Sequence, residues 1–301
     1  MANWNQITKD VQGRGSTFDI IRREALKKLN QYTKRNVIIY YSGWLQKNFI
    51  EIQHSLGIND FDKNGFMTAI NGLDSKKGLD LILHTPGGEV AATESVISYL
   101  LSKFEDIRVI VPQLSMSGGT MMACAGNKII MGKQSSLGPV DPQIGGLPAH
   151  GIVEEFRKAH EEISKDPSKV AVWQFILQKY NPTLVGECQK AIDWSETILE
   201  NSLRNRMLKD KENIEELITK IKAELCDHAV SLSHARHLSA EKCKEIGLEV
   251  TMLEDDQKLQ DSVLTLHHAT MQTLSNTPAF KIIENHNGQA FIQGLNIQVQ
   301  K

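Results

Sequence analysis

Leu79-Asp80-Leu81-Ile82-Leu83-His84-Thr85-Pro86-Gly87-Gly88 is the stretch whose reading decides the fold. Aliphatic residues at 79, 81, 82 and 83, closed by a glycine turn, predict a buried strand ending at His84. Gly87 and Gly88 allow positive φ and let backbone amides approach a ligand closely. Downstream, Val90, Val96, Ile97, Leu100, Leu101 and Phe104 follow helical spacing, and Ile107 to Val111 reads as another strand. Ser115 to Ala125 is small and glycine-bearing, Lys128 to Met131 predicts a fourth strand, and Gly138-Pro139-Val140-Asp141-Pro142-Gln143 a rigid loop. Upstream, Val37 to Tyr41 predicts the first strand and Asp60 to Leu73 a helix closing near Gly72. Strand, glycine turn and helix alternate, which predicts an α/β fold for the first half.

The second half turns helical. One stripe runs through Ile152, Val153, Phe156, Ala159 and Ile163, a second through Trp194, Ile198, Leu199, Leu203 and Met207, and a third through Ile214, Leu217, Ile218, Ile221 and Leu225. Asn181-Pro182 offers a cap and first position for the second helix. Ser239 caps a short helix ending near Gly247, and Leu248, Val250 and Met252 alternate as a last strand. Residues 1–35, with Ile20, Ile21, Ala25 and Leu29 at helical spacing, read as an N-terminal helical arm, 36–253 as the main domain, and 254–301 as a polar C-terminal extension.

Composition narrows the function classes. Of 301 residues, 34 are basic and 36 acidic, a formal charge of −2 that gives no field favouring nucleic acid. No apolar run approaches the roughly 20 residues of a membrane helix, so no integral span is expected. The polar start Met1-Ala2-Asn3-Trp4 lacks a secretory layout, and Cys124, Cys188, Cys226 and Cys243 show neither disulfide nor zinc spacing. A cytoplasmic setting, no metal and no cofactor are the expectations.

Two glycine loops carry the chemistry. Amides at Pro86-Gly87-Gly88 can form an oxyanion hole, although the tripeptide alone is also an ordinary strand-to-helix turn. In Ser115-Met116-Ser117-Gly118-Gly119-Thr120 a serine at a helix start, flanked by glycines, presents an exposed hydroxyl beside backbone amides, which is nucleophile geometry; alone it fits a tight turn as well. The loops lie one strand–helix unit apart, so both can open at the same side of one sheet.

The runs 80–88, Ser117-Gly118-Gly119-Thr120 and Leu137 to Gln143 closely resemble the serine dehydrogenase proteinase family, relatives of ClpP and of the signal-peptide peptidase SppA. The resemblance covers residues 36–143 well and 180–253 more weakly. It implies a ClpP/crotonase-like spiral of strand-strand-helix units with a helical second half, serine endopeptidase activity on peptide or protein substrates, and a homo-oligomer. By motif, Ser117 matches the nucleophile, and Gly88 and Gly118 the two oxyanion amides. Leu238 to Leu248 resembles the segment that ends the ClpP-type domain. The ClpP triad is not matched, because Asp141 stands where its histidine would be and Ala235 where its aspartate would be.

The SppA side uses a serine–lysine dyad, in which a desolvated lysine accepts the serine proton. Lys190 resembles a lysine in the long helix of the family, with Gly186 and Trp194 expected to bury it and Glu187 and Asp193 able to hold it charged at the surface. Other candidate bases are His234, His160 on the apolar stripe, and Lys158, which the periodicity turns toward solvent. His84 and His150 read as structural, and Asp141 as a brace of its loop. Two alternatives stand beside the peptidase: a crotonase-type acyl-CoA enzyme, and an inactive oligomeric scaffold of the same fold. The chain carries no ATPase motif, so any unfolding activity would come from another protein.

Overall fold

Asn36–Ser42 (β1) is buried along its whole length and pairs in parallel with Leu79–His84 (β2), so that each strand needs a helical layer on both faces. A computed structural model describes residues 18–47, 53–226 and 236–295, together with Trp4, Gln6 and Ile7. Ile107–Val111 (β3) and Lys128–Met131 (β5) continue the parallel sheet, which Val250–Met252 (β10) ends on one side. Beyond β1 the order is completed by Ala279–Asn285 (β11) and Ala290–Gly294 (β12), both antiparallel to their neighbours. The result is a seven-stranded mixed sheet in an α/β fold, in the order β10-β5-β3-β2-β1-β11-β12.

Alternation along β2 sends Leu79, Leu81 and Leu83 to one face and Ile82 and His84 to the other. On the first face pack the helices Phe61–Ile70 (α3), Val90–Lys103 (α4), Gly118–Cys124 (α5), Ile214–Leu225 (α9) and Ala240–Ile246 (α10). The opposite face is covered by Phe18–Thr33 (α1) and Gln257–Asn276 (α11), through Leu26, Leu29, Val263 and Leu266 among others. Leu114–Ser115 (β4), Ser136–Leu137 (β6) and Leu238–Ser239 (β9) form a small second sheet in the order β4-β6-β9 beside the strand ends, and Gln143–Ile144 (β7) pairs with Leu147–Pro148 (β8). The helical section comprises Ala149–Lys165 (α6), Val170–Leu177 (α7) and Leu184–Ser202 (α8), the last continued by a wide turn, Leu203–Met207.

The expected division at residue 253 is not seen as a break in packing. Within 254–295, α11 lies against α1, and β11 hydrogen-bonds directly to β1 inside the sheet. The segment reads as polar because its buried positions hold polar groups that have partners. Lys281 pairs with Asp62, Asn285 Nδ2 donates to the Ala69 carbonyl (2.7 Å), and Glu284 accepts from Arg22 Nε (2.7 Å) and Arg23 Nε (2.6 Å). Buried charges are tolerated only in such pairs.

Ending the chain after Asp256 would remove α11, β11 and β12 and expose both the edge of β1 and the apolar face of α1. Urea unfolding followed by tryptophan fluorescence should then lose its cooperative transition. A sigmoidal curve at the full-length midpoint would contradict this placement of the C-terminal third.

Candidate active site

The strand ends place three turns in a row. Thr85 N donates to Leu114 O (3.2 Å) and Met116 N to Thr85 O (3.0 Å), so the turn after β2 is tied to β4. Ser115 O in turn accepts from Gly138 N (3.2 Å). Thr120 Oγ1 lies 2.8 Å from Gly138 O and 3.1 Å from Ser115 O, pinning the third turn to the start of α5. On the other side Ile58 N donates to Gly87 O (2.7 Å) and Glu89 N to Ile58 O (2.9 Å).

That last pairing decides where an amide points. In a parallel bridge one residue makes both bonds, and here it is Ile58, whose partners flank Gly88. The N–H of Gly88 therefore faces away from Ile58, and among the described residues it has no hydrogen-bond partner. Gly118 opens α5, where a first-turn N–H has no intrahelical acceptor. The two amides are neighbours: a Cβ built on Gly118 would stand 3.4 Å from Gly88 N, and one built on Gly87 would stand 2.9 Å from Gly118 N. The same Cβ at Gly87 would lie 2.7 Å from Ser117 Cβ, so only glycine fits there, at φ +92°.

Ser117 sits at φ 50°, ψ −114°, a conformation that a residue with a side chain adopts only under strain, about 1–3 kcal/mol. It is half-buried and lines a cleft of about 380 Å³ with Gly87, Gly88, Gly118 and the third turn, Val140 to Gln143. The strand-to-helix elbow thus sets Ser117 in the cleft flanked by these two amides, which have no partner among the described residues. A more open depression of about 970 Å³ near Tyr99 and Gln289 is lined by Gly72, Ser75 and Ser102, and neither serine has the positive φ of Ser117.

Ser117, Gly88 and Gly118 line one cleft, and Asp141, buried, lines it too. Lys190 is not brought there. Helix α8 buries Cys188, Ile192, Ser195, Ile198 and Leu199, which turns Lys190 outward together with Gly186 and Trp194, so the expected burial is not found. It is Ser195, on the buried stripe of α8, that reaches the cleft. His160 is exposed rather than on the buried stripe of α6, which narrows to Ala149, Ile152 and Ala159. Lys158 is exposed as the periodicity implied, His150 is half-buried in the first turn of α6, and His234 lies outside the described residues.

Three cleft residues carry no signal in the sequence: His54, Glu89 and Ser195. His54 lies in Gln53–Leu56 (α2), one turn long and too short to show a period. Beneath the first turn, His84 packs against Trp44 (ring centroids 4.3 Å apart), Tyr41 and His267, and Tyr41 Oη lies 3.0 Å from His267 Nδ1. Burial in this aromatic nest pushes the His84 imidazole down to about 3, only partly offset by the Leu114 carbonyl. Burial pushes His267 well below its ordinary value too, reinforced by the neighbouring imidazoles.

Comparison with known proteins matches residues 14–285 to the family described as ClpP-like SDH-type serine proteinase. Uncharacterized protein MJ0137 of Methanocaldococcus jannaschii is 31% identical over 206 residues, 68% of this chain and 63% of that protein. Uncharacterized protein MJ1495 of the same organism is 32% identical over 192 residues, 63% of this chain and 57% of that protein. The matched region thus spans less than two thirds of the length of these relatives.

Two outcomes follow from the site's geometry. Ser117→Gly relieves the strained backbone whereas Ser117→Ala keeps it, so in urea unfolding the glycine variant should be more stable than the alanine variant by about 1 kcal/mol. Equal stabilities would mean that Ser117 is unstrained. The second concerns acid. His84 and His267 are held neutral in the fold but bind protons near 6.5 when unfolded, so stability is undiminished above that value and falls as the pH drops from 6.5 toward 3. Each buried imidazole should contribute a slope of about 1.4 kcal/mol per pH unit, and His84→Phe should flatten it. An unchanged slope in that variant would contradict the neutral, buried His84.

Proposed function

Because the chain belongs to the ClpP-like SDH-type serine proteinases, we propose that it hydrolyses peptide bonds through an acyl-enzyme on Ser117. The observation that carries this reading is the strained Ser117 set in one cleft beside the backbone amides of Gly88 and Gly118, which have no partner among the described residues. Ser117 Oγ would attack the carbonyl carbon while its proton passes to a base, and the carbonyl oxygen would become an oxyanion between the two amides. Collapse breaks the C–N bond and the base returns the proton to the departing amine. Water then attacks the ester and releases the acid. One donor of such a hole is worth about 10²–10³ in rate, and its preorganisation here comes from the pairing of Ile58 with Gly87 and Glu89.

The base assigned by this reading is His54, the histidine among the described residues of the cleft, whose imidazole can accept a proton. Glu89 and Asp141 line the same cleft. A dyad with Lys190 would require its ammonium to enter the cleft from the exposed face of α8. We read the fold as the ClpP/crotonase spiral, on the small sheet that collects β4, β6 and β9 beside the main one. The exposed apolar side chains of α7, Val172 at 63% and Phe175 at 68%, support assembly into a homo-oligomer.

The test is labelling of the purified protein by a fluorescent fluorophosphonate, with turnover of a fluorogenic peptide measured in parallel. Ser117→Ala should abolish both, and His54→Ala should lower turnover by about 10²–10⁴-fold. Lys190→Met should leave turnover within about twofold of wild type. A wild-type protein that is not labelled at Ser117 would overturn the reading, and a steep loss in Lys190→Met with none in His54→Ala would reassign the base.

A further inference from the structure

The oxyanion amide of Gly88 is aimed by Ile58, and the segment that carries Ile58 is itself held from below. Lys281 on β11 is fully buried, and its Nζ donates to the Gly57 carbonyl at 2.7 Å. The same ammonium lies 2.9 and 3.0 Å from the two carboxylate oxygens of Asp62, also fully buried, at the start of α3. Asp62 Oδ2 accepts from Tyr40 Oη on β1 (2.7 Å) and from Asn59 N (3.1 Å). One ammonium on β11 therefore ties down a segment more than 200 residues away, the turn 57–59 and the start of α3 that follows it.

A buried ion pair of this kind is a poor stabiliser, since well-packed apolar side chains of equal volume serve as well or better. What an apolar pair cannot do is hold a carbonyl in one direction. The Gly57 carbonyl adjoins Ile58 N, the donor to Gly87 O, so fixing it fixes the strand-like clamp on Gly87-Gly88. Gly57 itself packs against that turn, with an added Cβ 3.2 Å from Gly87 O and 3.4 Å from Gly88 Cα. Lys281 does not line the cleft, and its hydrogen bond toward it runs to the Gly57 carbonyl.

We propose that Lys281, through the Gly57 carbonyl and Asp62, is a positioning residue that sets the Gly88 amide of the oxyanion hole. The proposal rests on the serine-hydrolase reading of Ser117. It makes β11 part of the catalytic apparatus, although that strand carries no residue of the cleft.

The experiment compares full-length wild type, Lys281→Met and the double variant Asp62→Asn/Lys281→Met. The double variant leaves no unpaired buried charge and so keeps the test valid where the single variant folds poorly. Thermal melts establish the folded fraction. Hydrolysis of a p-nitrophenyl ester gives kcat and KM, and fluorophosphonate labelling, which places a phosphoryl oxygen in the hole, gives a second-order rate. We expect kcat and the labelling rate per folded molecule to fall about 10- to 100-fold with KM changed less than about threefold, because a misaimed donor is lost mainly from the transition state. A purely structural role would lower the melting temperature and leave kcat of the folded fraction unmoved. Wild type labelled at Ser117 together with a folded variant whose kcat is within twofold of it would overturn this proposal alone. Wild type unlabelled at Ser117 would overturn the hydrolase reading, and this proposal with it.

Discussion

The bridge between Ile58 and Gly88 is the constraint on which the site depends. A residue that makes both bonds of a parallel bridge leaves its opposite number with both polar groups turned away, and here that opposite number is Gly88. An N–H at a strand end would normally be satisfied by water or a neighbour. Instead it stands next to the amide that opens α5, in a cleft also lined by a strained serine. The crowding around Gly88 is severe: a Cβ there would lie 2.1 Å from Ile58 N. No other residue type can occupy the position without opening the clamp.

The series of ties from Ile58 through Gly87, whose N donates to Thr85 Oγ1 (3.2 Å), and on through Met116 and Ser115 to Gly138 explains how strain at Ser117 persists. Each turn is braced by the next, and Thr120 closes the series by bonding to two of them. Strain of about 1–3 kcal/mol is held only where surrounding structure over-determines it. The buried Thr93 adds to this from α4, since a Cβ on Gly118 would meet its Oγ1 at 2.6 Å. A local distortion and a set of tertiary bonds thus produce one chemical feature, a hydroxyl beside two aimed amides.

Much of this was legible in the sequence because the strands β1, β2, β3 and β5 are nearly uninterrupted aliphatic runs and because glycine has few reasons to recur at their ends. That Ser117, Gly88 and Gly118 meet in one cleft could be read from those turns. What could not be read were features carried by buried polar groups. Helix α11 buries His267, Thr270, Gln272 and Thr273, and β11 buries Lys281, Glu284 and Asn285, so neither shows a clean apolar period. Lys190 illustrates the reverse case: its helix was foreseen, but the seam through Cys188, Ile192 and Ser195, rather than Trp194, is the one that packs. His54 lies in a single turn of helix whose place in the cleft is set by contacts remote in sequence.

The central claim is geometric, and a crystal structure of the protein reacted with a peptidyl phosphonate tests it most directly. The account predicts continuous density from Ser117 Oγ to phosphorus, with the phosphoryl oxygen about 2.7–3.1 Å from both the Gly88 and Gly118 nitrogens. An adduct on another residue, or a phosphoryl oxygen turned away from those two amides, would contradict it.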